Sequence, residues 1–265
     1  MNEMTGSATG SRDFSGGDLE ARLAEMIKVA DETYRQRAEL SGKSSSSASS
    51  TSWDRWGSDI SLLADQIDSY ELDWRLSRWL FVESEGKPRS YDQGAMYGRR
   101  AIRLRCDAVE GHFWAGVNLA LYAQARKGPK ALLALLEARR DLKRACEISE
   151  EYHGAGPLRV LGRLEHKSSK VIPKVIPKLI SKGFSKVMGG GSLDRSRNYY
   201  DRALAIAPTN SVTLVYAAEL EIDCRNSKKA VCLLERVLSL PIDPDWEFEN
   251  IRDKNLAKSL LEGLR

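Results

Sequence analysis

The sequence predicts an all-α fold, an α-solenoid of antiparallel helix pairs with one helical insertion. Three observations carry that prediction. Apolar residues recur at three- and four-residue spacing along most of the chain, as one face of a helix requires. Short glycine- and proline-rich breaks divide those stretches, at Gly86-Lys87-Pro88, Gly128-Pro129, Gly154 to Pro157, Gly189 to Gly191, Pro208, and Pro241 to Pro244. Between the breaks no β-branched run alternates over strand length. With 265 residues, 42% of them hydrophobic, the chain has ample material for a core.

The elements follow in order. Residues 1–16 are small, polar and Gly/Ser-rich, which predicts a disordered N-terminus. Residues 17–40 form the first helix: Leu19, Leu23, Met26, Ile27 and Ala30 share one face, and Asp18 is placed to cap it. Residues 41–52 are a Ser-rich run with the composition of a flexible linker. The solenoid is expected over 53–265, opening on a Trp-rich helical stretch and interrupted by a basic amphipathic insertion at 167–191.

Within 53–265 the sequence can be tested for a repeat. The tetratricopeptide signature is a helix–turn–helix of roughly 34 residues, with small residues where its two helices touch and a proline after the second. Ser196, Tyr200, Ala203 and Pro208 fall on its second-helix places; a 34-residue shift lands on Ala230, Leu234 and Val237, with Pro241 just beyond. Leu214, Ala217 and Ala218 fill the first-helix places between them. Upstream, Leu158, Leu161 and Gly162 match a first helix whose partner arrives about 22 residues late, so an insertion splits this unit. Further back stand Trp114, Val117 and Leu121 with Ala138, Leu142 and Ala145, and then Trp74 and Phe81 with Gly94, Gly98 and Ala101.

The blocks "SYELDWRLSRW", "VEGHFWAGVNLALYA", "GPLRVLGRLEHK", "GGGSLDRSRNYYDRALAIAP" and "DPDWEFENIRDKNLAKSLL" occur in the order seen in TRAP-transporter T-component-like (TatT-like) tetratricopeptide proteins. The chain resembles that family from about Ser69 to Leu261. The resemblance implies an all-helical scaffold that binds a partner protein or a small ligand. The family's transporter members are exported lipoproteins that work with periplasmic binding proteins. This sequence departs from them, with no charged-then-apolar leader, no lipobox-like cysteine and no run of eighteen apolar residues. The expected location is therefore cytoplasmic.

Composition narrows the function. The net charge of +4 is mild and spread along the chain, which argues against a nucleic-acid partner. Cys106, Cys146, Cys224 and Cys232 form no CxxC pair and read as reduced thiols, and His112, His153 and His166 lack metal-ligand spacing. No acid, base and nucleophile stand at a telling spacing, so neither enzyme activity nor a cofactor is expected. The expected function is a protein-interaction scaffold. An enzyme or small-ligand binder, a transporter accessory and a peripheral membrane adaptor are the alternatives.

A solenoid of this kind binds on its concave face, lined by first helices. The residues expected there are Arg75, Trp79, His112, Ala115, Tyr122, Arg159, Arg163 and His166. That basic and aromatic mixture suits an acidic or carboxylate-ended protein or peptide, because guanidinium forks a carboxylate with two hydrogen bonds. The bland alternative is that the aromatics are core and the arginines a solvated face. In the insertion, Lys170, Lys174, Lys178, Lys182 and Lys186 are in phase, while Leu179, Ile180, Phe184, Val187 and Met188 form an apolar row. Pro173 and Pro177 are expected to prevent one continuous helix. The reading taken is a lid packed on the solenoid with its lysines at the rim; contact with a membrane surface or a partner is the alternative.

Overall fold

The computed structural model describes residues 16–35, 37, 64, 67–83, 88–175 and 191–264. The linker at 41–52, the apolar row at 179–188, and Lys178, Leu179, Lys182, Phe184 and Lys186 lie outside the described residues. Among the described residues the structure is all-helical, and no helix is long and apolar enough to cross a membrane. The helices are α1 (Gly16–Arg35), α2 (Tyr70–Glu83), α3 (Pro88–Leu104), α4 (Val109–Ala125), α5 (Pro129–Ile148), α6 (Tyr152–Val175), α7 (Leu193–Ile206), α8 (Ser211–Asp223), α9 (Ser227–Ser239) and α10 (Glu247–Glu262), with a 3₁₀ turn at Pro244–Trp246.

Local chemistry sets many of these boundaries. Ser192, Asn210 and Asn226 each accept a backbone N–H three residues on, from Arg195, Thr213 and Lys229, so α7, α8 and α9 begin on side-chain caps. Gly128 adopts a φ of +89° that few other residues tolerate, and Pro129 opens α5 where its missing N–H costs nothing. The break expected at Gly154 is a sharp reversal: His153, Gly154 and Ala155 are left-handed in succession, with φ of 53°, 61° and 58°. Two boundaries differ from the sequence reading. α1 begins at Gly16, so Asp18 stands inside the helix rather than at its cap. α6 runs through Pro173 to Val175 and takes Lys174 with it, so the first part of the expected insertion continues a first helix. A proline there removes one backbone donor and does not by itself end the helix.

Sequential helices pack antiparallel, and the first helices of successive pairs also touch each other: α2 with α4, α4 with α6, α6 with α8, and α8 with α10. These five form an inner layer, with α3, α5, α7 and α9 outside it. This is a helical-repeat solenoid. The small residues marked by the repeat pattern sit at the contacts: Ala101, Ala138, Ala145, Ala203, Ala218 and Ala230 are fully buried. One large cluster surrounds Trp114, Phe113 and Leu142, and a second surrounds Tyr200, Leu214, Leu220 and Leu234. Hydroxyls tie the layers where helices come too close for larger groups. Ser77 donates to the Gly94 carbonyl at 2.7 Å, and Ser196 to the Gly162 carbonyl at 2.8 Å.

The closest approach is between α3 and α4. A Cβ on Gly98 would lie 2.7 Å from the Ala115 Cβ and 2.8 Å from its backbone nitrogen. Gly98→Ala is therefore expected to cost about 1–3 kcal/mol, because backbone has to move to admit the methyl. Urea unfolding measures this, and an unchanged midpoint would show that the two helices separate freely.

Asp73 on α2 is fully buried, and the Arg100 Nε lies 3.3 Å from one carboxylate oxygen. Burial pushes its carboxyl up from 3.8 to about 7, against the pull of Arg100. A carboxyl raised in the folded state stabilises fully below its unfolded value, and that contribution fades as pH rises from about 4 through about 7. Asp73→Asn keeps the neutral shape. It is expected to gain on the parent across that window and to be about 1–3 kcal/mol more stable above it. Thermal melts from pH 4 to 8 test the sign; a variant less stable than the parent at pH 8 contradicts it.

Candidate functional site

The inner layer carries the predicted basic and aromatic residues, and it encloses something the sequence reading did not place there. The C-terminal end of α1 lies against the inner layer, and Asp31 and Tyr34 on it and Arg37 two residues past its end, three residues apart, meet matched groups on three different helices. Asp31 receives a forked pair of bonds from Arg75, at 2.8 and 3.0 Å, and one from Arg78 at 2.7 Å. The Tyr34 hydroxyl lies 3.0 Å from the His153 Nε2. Arg37 donates to both oxygens of Glu249, at 2.7 and 3.1 Å, and to the Asp245 carbonyl at 2.9 Å.

Rings fill the space between these polar contacts. The Arg78 guanidinium stacks over Tyr34 at 4.1 Å, and Arg75 over Trp74 at 4.1 Å. Tyr34 meets Trp114 edge-on at 6.3 Å, and Trp114 donates its indole N–H to the Tyr152 hydroxyl at 3.0 Å. His153 is packed by Phe113, Trp114 and Trp246, with the Trp246 ring centre 4.7 Å away. The left-handed backbone at 153–155 is what aims this imidazole inward.

The electrostatics follow from that crowding. Burial lowers the His153 pKa well below its ordinary value, and the nearby guanidiniums of Arg159, Arg37 and Arg78 lower it further, so the ring is neutral at pH 7. Burial pushes the Asp31 carboxyl up, but the hydrogen bonds and charges of Arg75 and Arg78 outweigh it and hold the group below 3.8. Arg159 is buried and donates to neutral oxygens: the Gly154 carbonyl at 2.8 Å, and the His153 carbonyl and Asn210 Oδ1 at 3.4 Å. Among the described residues no carboxylate pairs with it.

The other predicted residues are distributed as follows. Arg163 pairs with Glu219 and stacks over Tyr216 at 4.2 Å on the same inner layer. His166 is fully buried at the next turn of α6, 2.5 Å from Asp223, which also pairs with Lys170; this ties α6 to α8. Trp79 is half-buried beside the cluster of Leu72, Leu76 and Leu80. Tyr122 is half-buried under the Arg126 guanidinium at 5.8 Å. His112 turns away from α1 to the α3–α4 loop, with its Nε2 3.0 Å from the Cys106 carbonyl, and Ala115 is buried against Gly98.

The structure thus gathers Arg75, Arg159 and Arg163 on one face and adds Arg78, His153, Tyr216, Trp246 and Glu249, which the sequence reading missed. The signal for α1 was the stretch "DETYRQR", whose acid, ring and base repeat at three-residue steps. All four cysteines are free, and burial raises the Cys146 thiol to about 12, leaving it unreactive. Among the described residues no group of three or more His, Cys, Asp or Glu is placed to hold a metal.

No protein-family profile matches the sequence, and no curated protein matches it. Among solved structures the chain is similar to a monomeric mutant of IFIT1 with Gppp-AAAA, at 13% identity and a TM-score of 0.34, covering 91% of this chain. The chain spans 65% of that protein.

The Arg37–Glu249 pair is nearly dry, with side chains 5% and 13% exposed. A double-mutant cycle with Arg37→Ala and Glu249→Ala is expected to give a coupling of about 1–3 kcal/mol in thermal unfolding. A coupling near zero would mean that α1 is not held there.

Proposed function

We propose that this protein is a non-catalytic helical scaffold that binds a segment of a partner protein on the inner face of its solenoid. The observation that supports this most directly is the face itself, where Arg75 and Arg78 of α2, Trp114 of α4, Arg163 of α6 and Tyr216 of α8 are gathered and the first three meet α1. Arg and aromatic residues are the types that dominate the energy of protein interfaces. A solenoid presents them along a curved surface that a peptide or helix can follow. The T-component-like order of the sequence blocks supports the same reading, since those proteins are also helical scaffolds that hold a partner. The acidic end at Glu249 widens the expected partner from a purely acidic peptide to one carrying both charges.

Photo-crosslinking tests the reading. A benzoyl-phenylalanine in place of Tyr216, half-buried on the inner face, is expected to capture a partner in cells, and the adduct is expected to be lost on Arg163→Glu. Adducts formed only from probes on the outer helices, for example at Leu133 of α5, would move binding off this face.

A further inference from the structure

We infer that the partner segment is a helix presenting a carboxylate, an aromatic ring and a guanidinium at positions i, i+3 and i+6, and that α1 stands in its place in the free chain. This rests on the reading of the inner face given above. Asp31 and Tyr34 on α1 and Arg37, two residues past its end, follow at three-residue steps, which on one helix span about 9 Å. Across that short distance their partners come from α2, from the α6 reversal and from α10, the first, third and last helices of the inner layer. Complementarity is complete at every step of the stripe: two guanidiniums meet the acid, a neutral imidazole meets the phenol, and a carboxylate with a backbone carbonyl meets the arginine. A helix with the charges reversed would place its acid against Glu249 and its base against Arg75 and Arg78, so the face also fixes the direction in which a helix lies.

The way α1 is held marks it as exchangeable. Its apolar side is short: Met26 and Ala30 are buried and Leu23 half-buried against Leu72, Leu76 and Leu80 of α2, while Ala24 and Val29 remain exposed. Ile27 is half-buried, the Tyr34 ring packs edge-on to Trp114, and the remaining contacts are polar ones to side chains that other helices of the solenoid already position. Arg78 keeps its stacking on Trp74, and Arg75 keeps Glu71, whether or not Asp31 is present. Arg159, buried beneath the same face, is held by the Gly154 and His153 carbonyls and Asn210 Oδ1, so its position does not depend on α1 either. A tethered segment competes at a high effective concentration, so a free helix of equal fit binds the intact chain weakly until α1 is weakened.

The test uses the full-length chain and a fluorescein-labelled synthetic peptide of residues 16–40, followed by fluorescence anisotropy. Asp31→Lys in the chain sets a lysine against Arg75 and Arg78 and loosens the chain's own α1. That chain is expected to bind the probe at least about tenfold more tightly than the parent. The same substitution placed in the probe is expected to abolish binding to either chain. A second pair guards against simple unfolding: Glu249→Arg in the chain is expected to prefer a probe carrying Arg37→Glu over the natural probe. A misfolded chain gains no such preference. Equal affinity of parent and Asp31→Lys chains, or a Glu249→Arg chain indifferent to the probe's charge, overturns the inference. A partner crosslinked from position 216 that lacks the acid–ring–base spacing would overturn it too, while leaving the scaffold reading intact.

Discussion

Gly98 and Ala115 bring two helix backbones to within a methyl group of each other, and this close approach fixes the spacing of the helix pairs. Gly162 instead makes room for the Tyr200 ring, where a Cβ would come to 2.6 Å. Where helices close on small residues, their large side chains pack beside the contact: Trp114 and Phe113 in one core cluster, and Tyr200, over Gly162, in the other. This packing sets how far apart the inner helices lie, and the gathered arginines and rings stand on that layer. The small residues are thus the precondition of the site, though none of them touches it.

Charge is used in two ways in this fold. Some ions are structural: Glu165 is held by Arg139 and Arg195, Glu221 by Arg197 and Lys229, and Asp253 by Arg252 and the Ser211 hydroxyl. Each of these carboxylates is buried and joins neighbouring helices. Leaving any one without its cation would expose the full desolvation cost of a buried charge. The ions of the inner face differ in kind. Arg75 and Arg78 are pre-positioned by stacking on Trp74 of their own helix, and the counter-charge of Asp31, like the Arg37 that meets Glu249, comes from a separate element.

The fold was largely legible because its signals are local or recur at a fixed interval. Ser196, Tyr200, Ala203 and their 34-residue images Ala230, Leu234 and Val237 placed α7 to α9, and the glycine and proline breaks placed most of the remaining ends. The reach of α6 through Pro173 was not legible, since a single proline is compatible with either outcome. Of the site, Arg75, Arg159 and Arg163 could be chosen because register assigns them to the inner layer. His112 was chosen on the same ground, but loop geometry at Cys106 draws it away. Asp31, Tyr34 and Arg37 could not be found, because what selects them is contact with residues as far as 212 positions away. His153 depends on a left-handed reversal that "HGAGP" permits without specifying.

The Arg37–Glu249 contact has a bearing on cooperativity. Repeat arrays are nearly one-dimensional: each unit leans on its neighbours, and the end units fray independently of one another. A bond between the first helix and the last makes the array a loop. Loosening α10 then removes one anchor of α1, and releasing α1 leaves the half-buried Glu249 of α10 without its guanidinium, so the openings of the two ends of the chain are coupled. Amides of α10 and α1 are thereby placed in a common exchange unit although the whole solenoid lies between them in sequence. The Arg37–Glu249 pair therefore joins the two ends of the solenoid directly, as a clasp joins the ends of a spring.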